Sequence, residues 1–157
     1  MKVLHWVSTH LRPLGRIRLL PQVFDLLLRL YSFLCAPEVF RAITVLTREV
    51  EGWQGVTLSS HRFGGRQFDV GERELGHVHG NGVVDVLLDR STQSVVVTEG
   101  RAVEHHTFPG SGWVSLQLTG PADVPAAAAI LRLAYELVQA RKKAEPQERP
   151  ALTASGK

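Results

Sequence analysis

The sequence predicts an α+β fold: a two-layer sandwich in which a mostly antiparallel sheet of about six strands carries helices on one face. Two observations lead there. Short runs of two-residue period, separated by glycine turns, fill the middle of the chain, and runs of 3.6-residue period flank them. The resulting order is α-α-β-β-β-β-α-β-β-α, which leaves the second face of the sheet open to solvent or ligand.

Residues 1–20 show no clean periodicity and are broken by Pro13 and Gly15. Pro21 suits the first turn of a helix. Val23, Leu26, Leu27, Leu30, Tyr31 and Leu34 then recur at helical spacing. Pro37 stops that helix and opens the next, "PEVFRAITVLTREVEGW", which has Val39, Ile43, Leu46 and Val50 on one side and closes at Gly52. From Gly55, "VTLSSHRF", "RQFDVG", "RELGHVHG" and "GVVDVLLD" read as strands of a meander, and Asn81-Gly82 is its strongest hairpin signal. "RSTQSVVVTEG" is ambiguous. Its β-branched residues favour strand, while Asp89 as a cap, Gly100 as a stop and the need for a crossover favour helix. "AVEHHTF" and "GWVSLQLTG" read as two more strands. "ADVPAAAAILRLAYELVQARKKA" reads as an amphipathic helix capped by Asp123, with Ala127, Ile130, Leu131, Ala134, Leu137 and Val138 as its apolar stripe. The expected plan is an N-terminal extension 1–20, an α+β domain 21–143 and a polar, disordered tail 144–157.

A chain of 157 residues fits one domain with a real core. The net charge of +3 is a weak case for nucleic acid. "HRFGGR" reads better as a hairpin or anion clamp than as a base-stacking platform. The single cysteine, Cys35, rules out an internal disulfide and any multi-cysteine metal site, and it is expected to be buried in its apolar helix. A cytoplasmic location is the default. The apolar stretch Val23 to Ala36 contains Asp25 and Arg29 and is shorter than the ~20 residues a membrane span needs. Residues 16–36 instead offer a cover for the domain, a homodimer contact or a peripheral membrane contact. No phosphate-binding glycine loop, dinucleotide fingerprint or nucleophile elbow is present.

The chemistry-bearing residues gather on the strands. His77 and His79 are two apart and share a face. If Val78 points to the helices, both imidazoles lie on the open face. His105 and His106 are adjacent and point oppositely, so one of them can join the pair. A single metal ion held by His77, His79 and His106, with Glu74 or Glu104 as an oxygen ligand or supporting partner, is one reading. Histidine as general base or ligand hydrogen-bonder without metal is another. Half-exposed polar residues with no further role are the plainest.

The segments "HRFGGRQFDVGERELGHVHGNGVVDVLL", "EGRAVEHHTFPGSGWVSLQL" and "ADVPAAAAILRLAYE" resemble the luciferase-like domain family, over roughly residues 38–140. The family includes the fungal bioluminescence luciferases, which oxygenate a hydroxypyrone with O2. The resemblance implies a pocket formed by Arg73, Glu74, His77, His79, His105 and Trp113. It departs at His106, where the fungal pattern tends to have Pro, and the helix at 23–36 is shorter and more charged than their membrane segment, so the resemblance does not imply membrane anchoring. The layout is also similar to small YjbR-type, frataxin-like sandwiches, whose open sheet face suits a non-enzymatic binding module.

The resulting expectation is a domain that binds a small aromatic or enolic molecule, with O2 as co-substrate. His77, His79, His105 and Glu74 would be catalytic. Arg62, Arg66, Arg73, His106 and Trp113 would bind substrate.

Overall fold

The computed structural model describes residues 20–144. The expected extension and tail lie outside these residues but for their boundary positions. Among the described residues there are four helices, α1 (Leu20–Cys35), α2 (Pro37–Glu51), α3 (Arg90–Thr98) and α4 (Val124–Ala144). The strands are β1 (Val56–Ser60), β2 (Arg66–Val70), β3 (Arg73–Val78), β4 (Val83–Leu87), β5 (Val103–Glu104) and β6 (Trp113–Gln117). The expected α+β layout and element order both hold. The strands form one antiparallel sheet in the order β1-β2-β3-β4-β6-β5.

The core lies between the sheet and helices α2 and α4. Phe68, Val78, Val84, Val86 and Val114 bury one face of the sheet against Ile43, Leu46 and Val50 of α2 and Ile130, Leu131 and Ala134 of α4. Alternation then sends the intervening residues to the other face. Gln67, His77, Asp85, Ser115 and Val103 form a single cross-strand row there. A one-residue slip of β4 would exchange Asp85 for a valine in that row and drive the carboxylate into the core.

The β2–β3 register shifts at Phe68/Asp69: Phe68 faces Gly76, whereas Asp69 faces Glu74, leaving Leu75 as an extra residue. In a regular strand Glu74 and His77, three apart, would point oppositely. The bulge resets the phase and brings both to the open face, while Leu75 stays in the core.

Four features differ from the sequence expectation. The strand expected at "AVEHHTF" is only two residues long, because the chain turns at His105: Thr107 N donates to His105 Nδ1 at 3.1 Å and Phe108 N to His105 O at 3.2 Å. Asp123 does not cap α4 but precedes it in a 3-10 turn, where Oδ2 accepts from Thr119 N and Gly120 N. The leucine-rich side of α1 does not cover the domain. Its polar side docks instead: Asp25 Oδ1 accepts from Gly80 N and Ser32 Oγ donates to Gly80 O, both at 2.7 Å. These bonds satisfy a turn's backbone groups that would otherwise be buried unpaired. Cys35 is exposed, not buried.

The crossover helix α3 forms as expected, with Asp89 Oδ1 accepting from Thr92 N at 2.8 Å. Its buried Gln93 holds the start of β6, donating to Trp113 O at 3.0 Å and accepting from Gly112 N at 3.1 Å. No described helix is long and apolar enough to cross a membrane.

Gly76 pairs with Val86 of β4 where there is no room for a side chain. A Cβ there would meet Asp85 O, and Leu131 Cδ2 at 3.2 Å. Gly76→Ala should therefore destabilise the domain by about 1–3 kcal/mol, the usual cost of overpacking. Urea unfolding followed by circular dichroism measures it.

Candidate functional site

Asp85 is the one charged residue of β4 and is only 3% exposed. A buried carboxylate costs several kcal/mol unless polar groups replace its water. Four side chains from separate segments do so here. His77, its cross-strand partner on β3, places Nε2 3.4 Å from Asp85 Oδ2. His79, just beyond the end of β3, places Nε2 3.4 Å from the same oxygen. His105, in the turn after β5, places Nε2 at 3.6 Å. Ser115, the partner on β6, donates its hydroxyl to Oδ1.

Behind this centre, the bulge sets Glu74 Oε1 2.7 Å from His77 Nδ1. Both nitrogens of His77 thus face carboxylates, the arrangement of an imidazolium, which donates from both. His61, from the β1–β2 turn, stacks on His77 with ring centres 3.7 Å apart and places Nε2 3.9 Å from Glu74. The tautomer of His105 follows from its turn: Nδ1 accepts from Thr107 N, so the ring proton is on Nε2, facing Asp85.

The electrostatics follow from these contacts. Burial alone would push the Asp85 carboxyl up, but His105, His77, His79 and Ser115 together hold it well below the usual carboxylate range. Burial alone would push His77 down, but Asp85 and Glu74 outweigh it and raise its pKa. His61 has no such compensation. Burial and the neighbouring His77 charge lower it to about 4, against a weaker pull from Glu74, so at neutral pH it is uncharged.

Aromatic side chains surround the cluster. Trp113 lies 5.4 Å from His77, Phe108 5.4 Å from His105 and Phe63 5.6 Å from His61, ring centre to ring centre. Phe63 and Phe108, each on a loop, are about half exposed. Arg62 stacks over Phe63 at 4.5 Å.

Of the residues singled out from sequence, His77, His79, His105, Glu74, Trp113 and Arg62 thus lie in or beside one cluster. His106 does not reach Asp85. It is exposed and stacks on His105, so His105 is the tandem member that faces the carboxylate. Arg66 lines a separate cleft between α1 and the β1–β2 edge, with Gln22, Asp25 and Arg29. Arg73 lines a small cavity with Asp89 and Arg141. Sequence reasoning passed over Asp85 and His61 as site residues, and it offered Ser115 only as a nucleophile candidate, not as a partner of Asp85. The available signal was an aspartate inside the apolar run "VVDVLL", where a charge has no place unless paired.

Two groups carry ligand atoms that all lie within 4.8 Å of one another: His61, Glu74 and His77; and His77, His79 and Asp85. Imidazole with carboxylate is a donor set for a divalent ion such as zinc, iron or manganese, and these residues fit one.

Stability should depend on pH in two opposed ways. An unfolded histidine titrates near 6.5, while folded His61 titrates at about 4. Between these values the unfolded chain holds more protons, so stability falls as the pH drops from about 6.5 to about 4. His77 contributes stability that is fully present below its unfolded value and is lost as the pH rises through its raised folded value. Thermal midpoints measured across pH should decline on both sides, with His61→Gln flattening the acid side and His77→Gln the alkaline side.

Neither a curated protein nor a solved structure matches this chain. A family model described as Luciferase domain matches residues 72–134, a stretch that runs from β3 into α4 and contains Glu74, His77, His79, Asp85, His105 and Ser115. Over that stretch the chain is similar to the luciferase-like domain family.

Proposed function

We propose that the domain binds a small enolic or aromatic molecule on the open face of the sheet and oxidises it with O2. One observation supports this above the others: imidazoles anchored on a buried carboxylate sit inside a rim of aromatic side chains that faces water. Phe63 and Phe108 are 54% and 49% exposed. A planar ligand would cover these rings and lie over the histidines.

On this reading the histidines take separate tasks. His77 is tied to carboxylates through both nitrogens and serves as a fixed positive charge. His105 is tied on both sides by Thr107 N and Asp85. His79 has the most exposed side chain of the three, at 23%, and its Nε2 faces Asp85. Nδ1 of His79 lies 3.8 Å from Asp25 Oδ1, beyond hydrogen-bonding distance, and on this reading it is the atom that accepts the enol proton. The enolate carbon gives one electron to O2, and the two radicals combine in a carbon–oxygen bond. The proton held on His79 then returns to the new peroxide. His77 and Arg62 supply positive charge near the bound anion.

A metal-dependent variant of the same reading is favoured by the His77–His79–Asp85 group. An ion there would polarise the ligand oxygen and make the histidines ligands in place of bases.

Hydroxypyrones are the first probes, with binding read from Trp113 fluorescence and turnover from O2 consumption. His79→Ala should fold normally, keep binding within a few-fold and lose about 100- to 10,000-fold in turnover. Hydroxypyrone binding without turnover in either protein would make the domain a binding module. Elemental analysis of untagged protein separates the two forms of the chemistry: a stoichiometric ion that is lost in His79→Ala favours the metal variant, and metal-free active protein removes it.

A further inference from the structure

Helix α1 is inside out. A helix on a water-soluble domain buries its apolar stripe and exposes its charges. Here the buried residues are Asp25 and Ser32, and nine large apolar side chains of α1, among them Val23, Phe24, Leu27, Leu30, Tyr31 and Leu34, are 36–66% exposed. The hydrogen bonds that dock the helix are made by polar side chains, beside a partly buried Leu28 and an edge-on contact of Phe33 with Phe40 of α2. Asp25 and Ser32 bond Gly80, and Gln22 Nε2 donates to Arg62 O at 3.3 Å. The approach is close enough that a Cβ on Gly80 would lie 2.6 Å from Arg29 N. This side of the helix cannot turn outward without breaking those bonds, so the leucines stay on the surface.

Three observations identify what covers them. The exposed apolar positions span roughly half the helix circumference, wider than the ~100° stripe that one packed neighbour covers. A hydrocarbon medium covers such an arc, whereas a second copy packed side by side would leave part of it wet. The nineteen residues ahead of Leu20 contain Lys2, Arg12, Arg16 and Arg18 and no Asp or Glu, a charge balance suited to anionic headgroups. Finally, sixteen residues make a helix of about 24 Å, shorter than the ~30 Å hydrocarbon layer, which favours a helix lying in the interface over one that spans.

We infer that α1 is a lipid-facing helix that seats the domain on anionic membranes. Its apolar half enters the acyl region, and the basic residues before it lie among the headgroups.

Vesicle co-sedimentation of the full chain tests this. Wild-type protein should sediment with phosphatidylcholine vesicles containing phosphatidylserine, less with phosphatidylcholine alone, and be released by high salt. Leu27→Gln/Leu30→Gln should weaken partitioning on the order of tenfold or more without lowering the thermal midpoint, since both side chains are exposed. Arg16→Gln/Arg18→Gln should lose roughly fivefold per charge on phosphatidylserine vesicles and little on phosphatidylcholine. The inference is overturned if wild-type protein stays in the supernatant, or if the folded leucine variant binds as well as wild type. It is equally overturned if the chain ignores vesicles and forms a dimer that the leucine variant dissociates, which would make a second copy the occupant.

Discussion

The buried charge of Asp85 constrains the rest of this domain. A carboxylate in the middle of an apolar strand is tolerated only where donors converge on it, and these come from β3, from just past its end, from the turn after β5 and from β6. The sheet register, the turn at His105 and the α3 contact that fixes the start of β6 all serve that convergence. The core on the other face depends on the same alignment, because Val84 and Val86 are buried only while Asp85 points away from them.

The cluster also has a particular charge balance. Glu74 and Asp85 flank the imidazolium of His77, while His61 is neutral. Asp85 is held ionised and also faces His79 and His105, so the centre favours a further positive charge. A proton transferred from a ligand to His79 would supply it, as would a divalent ion, and Asp85 would stabilise either one. The two chemical readings of the site thus answer one electrostatic demand.

Much of the fold was legible because its signals are local. Asn81-Gly82 marked the β3–β4 turn, Asp89 the start of α3, and the alanine- and leucine-rich stripe the buried side of α4. The H-x-H pair was legible for the same reason: alternation places both imidazoles opposite Val78. What was hidden depends on long-range pairing. The bulge at Leu75 leaves no trace in the pattern of β3, and without it Glu74 could not be placed beside His77. His105 and His106 could be told apart only once the chain was seen to leave the sheet after Glu104. On α1 the helical period was plain, but period alone does not say which stripe faces the domain. That choice was made by one turn glycine, Gly80, whose unpaired backbone groups called for Asp25 and Ser32.

The extra residue in β3 bears on how the site can be transplanted. The heptapeptide "RELGHVH" looks portable, a compact string with its acid and both bases in place. Its geometry is not contained in the string. In a host hairpin of unbroken two-residue period, Glu74 would project into the host's core and the imidazoles would lose their second carboxylate. A graft must therefore bring the opposing Phe68–Asp69 step and the small residue at 76 with it, so even the Glu74–His77 pair needs two strands, and the carboxylate of Asp85 needs a third.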